Sequence, residues 1–400
     1  MKIAVILGGF PKLSETFILR QLTGLADLGH EIDIYARRNP REASVQPDVQ
    51  RYGFLARTQY YEVPAGRLAR AARALATFVR AFPRHPVAML HCLNLARYRS
   101  VYALLNNVIF AAPFLDRRYD VIYCFWGGNG TDFIVLKDLF PETRFVNRFG
   151  GDDYALGDEL GADALALLRE RADAFIVQTD CYGRATLRRY GFDDAKIATY
   201  RHVIAVDDIS FRERRFDGER LRLVTVARLV EKKGLDHGIR AVAALQARNP
   251  HLRVEYRIIG DGPLAGRLAD RIQELKAGEV IELLGARTTP EVMRWIGASD
   301  IFLLPSLMEQ AGYVLLEAQA TGIPVVATRV GGVPEMVREG RSAILVEAGD
   351  APALTAALQG LADHPEDWPA MGREGRAHVE AHHNIERLKP RLAEILRGRP

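Results

Sequence analysis

Short apolar runs alternate with longer stretches of helical periodicity along the chain, and the alternation occurs twice. In the first half the runs fall at 2–7 (KIAVIL), 31–36, 120–125, 144–149 and 174–179. In the second they fall at 221–227, 254–260, 279–285, 300–305, 323–328 and 343–347. Runs apolar at nearly every position predict strands of parallel sheets covered by helices on both faces. Several of them end in glycine or a small polar residue and lead into a helix, the arrangement that puts ligands at the carboxyl edge of such sheets. The charged stretch 205–219, ending in Asp-Gly, predicts a linker. The expected architecture is therefore α/β, with two doubly wound parallel-sheet domains at 1–205 and 206–383 facing a central cleft. Residues 384–400 add a helix after the second sheet is complete, expected to return to the first domain.

A length of 400 residues suits two domains of roughly 200 each. Cys92, Cys124 and Cys181 show neither paired nor zinc-type spacing, which points to a reducing compartment. The first apolar run stops at Gly8-Gly9, too early for a signal-peptide core, and no run approaches ~18 uncharged apolar residues. These features predict a cytoplasmic protein. The net charge is only +4, but it is unevenly spread. Residues 63–115 contain no Asp or Glu, yet carry Arg67, Arg70, Arg73, Arg80, Arg84, Arg97 and Arg99. Leu68, Ala72, Leu75 and Val79 are interleaved with them at helical spacing. One reading is a basic amphipathic helix for an anionic membrane surface, on the inner face of the membrane. The other is a core-facing helix with an arginine-rich solvent face. No nucleic-acid motif accompanies the charge, so nucleic acid is not an expected partner.

Three stretches carry candidate chemistry. In VTVARLVEKKG (224–234), a strand ends and is followed by Arg228, Lys233 and then Gly234. Two cations on a strand-to-helix loop suit an anion such as a diphosphate, although solvated loop charges would read the same way. In RIIGDGP (257–263) a strand runs into glycines, and Gly260 either admits close approach to a ligand or simply ends the strand. In SLMEQAGYVLLEAQATGIP (306–324) the spacing predicts a helix over 313–321, stopped by Gly322 and Pro324. Its first amides, near Ala311, Gly312 and Tyr313, form a potential phosphate site. Glu309 precedes that helix and Glu317 lies one turn inside it, either as surface charge or as acceptors for sugar hydroxyls.

These motifs, together with TRVGGVPEMV at 328–337, occur in an order and at a spacing that resemble the retaining glycosyltransferases of family 4. The family has the GT-B fold of two Rossmann-like domains. The stretch GGFPKLSETFILRQ (8–21) is similar to the subset that includes colanic acid and other exopolysaccharide glycosyltransferases. The resemblance implies a nucleotide-sugar donor on the second domain and an acceptor on the first. Arg228 and Lys233 would hold the diphosphate and stabilise it as leaving group, while Glu309 would contact the donor sugar and Glu317 the ribose. The amides of Ala311, Gly312 and Tyr313, the turn at Gly260, and Gly9 with Phe10 from the other domain would complete the donor site. The implied reaction moves a sugar with retention to a glycan acceptor in polysaccharide biosynthesis, without a cofactor or a divalent metal, and the arginine-rich stretch 63–115 adds the expectation of a lipid-linked acceptor. No Asp-x-Asp motif is present, since Asp152-Asp153 and Asp193-Asp194 are adjacent pairs.

The chain departs from the family pattern at RFGGDDY (148–154), where Gly150 occupies the position of a usual histidine. Tyr123 and Phe125 stand where relatives often show His-Ala-His. Asn129, Asp152 and Asp153 are the candidates to replace that histidine beside the donor sugar. Two alternatives follow, a transferase acting on a small soluble acceptor and a nucleotide-sugar-binding protein that has lost catalysis. A nicotinamide-dependent oxidoreductase is disfavoured, because the first strand lacks a Gly-x-Gly-x-x-Gly turn.

Overall fold

The computed structural model describes residues 1–13, 15–42, 45–98, 100–155 and 165–399. The chain forms two compact units, Met1–Tyr200 with Lys389–Pro400, and Arg201–Leu388. The first break falls at Tyr200 because the next residues belong to the second unit by hydrogen bonding. Ile204 bridges Asn384, its amide donates to the His383 carbonyl (2.8 Å), and His383 Nδ1 lies 2.8 Å from the His202 carbonyl. The helix Ile385–Arg397 begins in the second unit and ends in the first. There Lys389 pairs with Asp27 at 3.6 Å.

The first unit holds a seven-stranded sheet in the order β3-β2-β1-β4-β5-β6-β7. Its strands are β1 (Lys2–Leu7), β2 (Glu31–Ala36), β3 (Thr58–Tyr60), β4 (Val121–Phe125), β5 (Arg144–Arg148), β6 (Ala174–Val177) and β7 (Ile197–Thr199). Every neighbouring pair is parallel. The second unit holds a six-stranded sheet in the order β10-β9-β8-β11-β12-β13, again all parallel. Its strands are β8 (Arg220–Val226), β9 (Arg253–Ile259), β10 (Ile281–Gly285), β11 (Ile301–Leu304), β12 (Val325–Thr328) and β13 (Ala343–Val346). All eleven expected strands form. The two that the pattern did not announce, β3 and β7, are three-residue edge strands, too short and too exposed to write an apolar run.

Central strands are buried on both faces, β4 and β11 along their whole length. Helices supply the covering layers. In the first unit Tyr35, Phe110, Phe114 and Phe133 pack as stacked and edge-on rings beneath one face of the sheet. In each sheet the strand order reverses beside the unit's first strand, between β1 and β4 and between β8 and β11. Loops leaving the carboxyl ends of those strands diverge, and the crevice so formed is where doubly wound sheets bind ligands. No helix among the described residues is long and apolar enough to cross a membrane.

Candidate functional site

Beside the β8/β11 switch point the loops after β8 and β9 are laced together by backbone hydrogen bonds. The Ala227 amide donates to the Ile259 carbonyl (2.9 Å), the Leu229 amide to Asp261 (2.9 Å) and the Leu264 amide back to Leu229 (3.1 Å). Gly260 allows this contact: its φ is +141°, and a Cβ there would lie 1.9 Å from the Ala227 carbonyl oxygen. The close approach that the Gly-Asp-Gly turn provides is thus to the Arg228 loop. Arg228 itself is exposed and makes no ion pair among the described residues.

Lys233 sits at the end of a short 3-10 turn, Glu231–Lys233. The preceding carbonyl, that of Lys232, accepts from the amides of Leu307 (2.9 Å) and Met308 (3.0 Å), which ties the loop after β11 to the loop after β8. That tie brings Glu309 onto Lys233, and the two form an ion pair with side chains only 11% and 16% exposed, respectively. Behind Glu309 the VGGVP loop closes, with the Gly332 amide donating to the Glu309 carbonyl at 3.2 Å. Gly331, at φ +50°, has no room for a side chain, since a Cβ would come within 1.8 Å of that same carbonyl oxygen. A carboxylate and an ammonium in a largely dry loop cluster hold each other in place and keep the local charge from accumulating.

The helix Tyr313–Ala320 follows, within a residue of the expected 313–321. Its N-cap is Gly312 in an extended conformation, and no side chain caps it. A helix N-terminus without a side-chain cap directs its first amides and its positive dipole end at whatever occupies the crevice. Ala311 and Gly312 lie at this end, and the Tyr313 ring packs 4.1 Å from the His202 ring. Glu317 is half-buried one turn further along. Within the second unit the structure therefore joins Lys233 and Glu309 directly, and sets Arg228, Gly260, Ala311, Gly312, Tyr313 and Glu317 on the loops and helix that flank them.

The first unit's candidates gather at the carboxyl ends of β1, β4 and β5. Gly9 and Phe10 follow β1. The Phe10 ring is buried, its amide donates to Arg38 (3.2 Å) and its carbonyl accepts from the Tyr60 hydroxyl (3.1 Å). Asn129 donates its side-chain amide to the Phe125 carbonyl at 2.7 Å, and buried Asp153 accepts from the Gly150 amide at 3.0 Å. Both are therefore engaged in shaping their own loops. The Asp152 side chain lies outside the described residues. Tyr123 and Phe125 are core residues of β4, with the Tyr123 hydroxyl donating to Gln21 at 2.8 Å.

Gly150 has a physical explanation that the sequence did not offer. A Cβ there would meet Arg148 Nη1 at 3.1 Å, Gln178 Oε1 at 3.2 Å and the Trp126 ring at 3.5 Å. Arg148 is the nearest of the side chains that crowd this position. That residue is 1% exposed, its guanidinium lies 5.0 and 5.5 Å from the ring centroids of Phe17 and Phe125, and its Nε is buried without an acceptor. Neither Arg148 nor His202 belongs to a motif legible in the sequence. The signal for Arg148 was present, a charged residue inside a strand otherwise buried on both faces.

Two doubly wound units, each with an all-parallel sheet and a switch-point crevice, define the GT-B class of fold. The model for "Glycosyl transferases group 1" matches residues 220–364. A putative colanic acid biosynthesis glycosyltransferase of Salmonella typhimurium is 32% identical, with 99% of each chain aligned. An amylovoran biosynthesis glycosyltransferase of Erwinia amylovora is 30% identical over 99% of each. Anabaena HepE, solved in complex with UDP, superposes with a TM-score of 0.71 over 100% of both chains at 14% identity, a likeness of fold. The chain belongs to the group 1 glycosyltransferases, family 4, with the GT-B fold.

Proposed function

We propose that this glycosyltransferase moves a sugar from a nucleoside-diphosphate donor to a growing glycan in polysaccharide biosynthesis, with retention and without a divalent metal. The observation that carries the donor assignment is the Lys233–Glu309 pair, beside Arg228 and the uncapped N-terminus of the Tyr313–Ala320 helix. As the glycosidic bond to the diphosphate breaks, negative charge grows on the departing phosphate oxygens. Lys233, fixed by Glu309, and the helix amides are placed to meet that charge, with the exposed Arg228 on the same loop free to swing onto it. Preorganised donors of this kind are the main way such a site lowers a barrier. Glu309 then has two partners to serve. It positions the Lys233 ammonium and presents its remaining lone pairs to donor-sugar hydroxyls, while Glu317 accepts from the ribose.

The names of the full-length relatives, colanic acid and amylovoran glycosyltransferases, support an exopolysaccharide acceptor. The acid-free stretch 63–115 supports an acceptor carried on a lipid and a working position at an anionic membrane surface.

The test is nucleotide release from a panel of UDP-, GDP- and other nucleotide sugars, with and without lipid extract and in the presence of a chelator. Acceptor-dependent release is expected, and Lys233→Ala should lower it at least ~100-fold, the scale of losing a leaving-group stabiliser. Tight donor binding with no turnover on any acceptor would instead support a nucleotide-sugar-binding protein that has lost catalysis.

A further inference from the structure

The arginines of the acid-free segment are not equivalent in the folded chain. Arg70, on the helix Arg67–Ala81, is buried, donates through Nε and Nη2 to the Pro64 carbonyl (3.1 and 2.9 Å) and stacks on Tyr102. Arg97 is spent on Asp138, through Nε at 2.6 Å and a second, shorter contact. Arg73, Arg80 and Arg84 behave differently. Arg73 and Arg80 lie two turns apart on the helix and Arg84 in the turn that follows it; the three make no ion pair among the described residues and converge on a cleft of about 280 Å³. Tyr60 and Tyr61 line the same cleft, and the acid at its rim, Asp116, is already engaged by His85 Nε2 at 2.9 Å.

The solvent-facing arc of that helix is apolar. Leu68 is 88% exposed, Leu75 65% and Val79 62%, with Ala69, Ala72 and Ala76 exposed between them. The residues the helix turns inward are Arg70, Ala74 and Phe78. The core-facing reading of the leucines is thereby overturned, because the stripe that packs and the stripe that is most hydrophobic do not coincide. On the neighbouring helix Pro86–Cys92, Val87 and Leu90 are also exposed, at 80% and 58%. An exposed apolar arc edged by unpaired arginines matches a surface that is apolar inside and anionic at its boundary, and no acid in 63–115 opposes it.

We propose that the Arg73–Arg80–Arg84 cleft is a headgroup site for an anionic phospholipid, which seats the exposed arc of the Arg67–Ala81 helix in the bilayer interface. The occupant is the lipid phosphate. Guanidinium forks take phosphate oxygens in pairs, while the Tyr60 and Tyr61 hydroxyls, already donating to the Phe10 (3.1 Å) and Leu7 (3.3 Å) carbonyls, leave only their rings to wall the cleft. Leu68, Leu75 and Val79 enter the acyl boundary beside it. The inference rests on the membrane part of the function proposed above and is independent of sugar transfer.

The experiment is co-sedimentation of the full chain with phosphatidylcholine vesicles, with and without phosphatidylglycerol, at low and high salt. Binding is expected only with the anionic lipid, and should weaken as salt rises. The triple change of Arg73, Arg80 and Arg84 to Gln should lower partitioning at least about tenfold, and the corresponding Lys triple should recover part of it. Leu75→Ser should weaken binding, and Arg294→Gln, at an exposed arginine of the second unit, should leave it unchanged. Circular dichroism and donor-nucleotide binding confirm that each variant folds. If the triple fails to fold, the single Arg80→Gln variant carries the test. Wild-type binding that the Gln changes leave untouched would overturn the cleft while sparing the membrane reading. No binding to either vesicle would overturn both, and donor turnover in the same preparations would show that the transferase assignment stands. Titration with inorganic phosphate that saturates the cleft without vesicle binding, or self-association through this helix, would equally overturn the proposal.

Discussion

A guanidinium whose Nε is buried without an acceptor is an expensive thing to keep, since desolvated donors normally find partners. Arg148 offsets part of that cost through the Phe17 and Phe125 rings, contacts worth on the order of 1–2 kcal/mol when desolvated. The arrangement also leaves a side chain at 150 a tight fit, since its Cβ would need the Arg148 and Gln178 side chains to give way by a few tenths of an ångström. Placing the usual histidine back by Gly150→His alone should therefore overpack the loop and cost about 1–3 kcal/mol. Pairing it with Arg148→Ala should relieve the collision, so that the two changes are non-additive by at least about 1 kcal/mol in a urea-denaturation cycle. Additive costs would show that Arg148 and position 150 do not compete for one space. The motif pattern revealed the departure at Gly150, whereas its cause is a contact that spacing does not encode.

The loops around Lys233 and Glu309 are an element-scale construction. Each of the loops after β8, β9, β11 and β12 is held by a backbone contact to another, and Gly331 is the point of closest approach, against the Glu309 carbonyl. Gly331→Val should cost at least about 2 kcal/mol, from a left-handed backbone and a clash that cannot relax without moving Glu309. Donor turnover should fall with it, while a donor-independent property such as vesicle binding should persist. Wild-type denaturation midpoint and turnover in this variant would show that the VGGVP loop does not position Glu309. The Arg67–Ala81 helix gives the opposite lesson. Its amphipathic periodicity was legible, yet the buried face could not be read from it. Arg70 and Phe78 go inward, with the Pro64 carbonyl taking the arginine's Nε and Nη2 and the Tyr102 ring covering its guanidinium, although Nη1 is buried without a partner, and the leucines are left outside.

At the scale of the whole molecule, the second unit carries a pH-sensitive element in its last helices. His378 is held down to about 4, by burial first and then by the charges of His382 and Arg338. His383 is held to about 3 by burial, partly countered by its hydrogen bond to the His202 carbonyl. In the unfolded chain both would titrate near 6.5. Below that pH the unfolded state takes up protons that the folded state refuses, so stability is fully present above about pH 6.5 and is lost as pH falls toward 4 and then 3. For fully buried His383 the slope approaches about 1.4 kcal/mol per pH unit. Urea midpoints followed by tryptophan fluorescence should fall between neutral pH and about pH 5, and His378→Gln should flatten part of that dependence. A midpoint constant across this window would contradict the neutral burial of these rings. By itself, the sequence determined the two doubly wound sheets, the loops that bear Arg228, Lys233 and Glu309, and the helix that begins at Tyr313. It could do so because strands buried on both faces write nearly unbroken apolar runs, and because each motif is contiguous. Only the tertiary structure decided that Lys233 pairs with a carboxylate 76 residues away, that Arg148 crowds Gly150, and which stripe of a basic helix faces solvent. Those outcomes depend on contacts between segments far apart in the chain, where local periodicity carries no information about the partner.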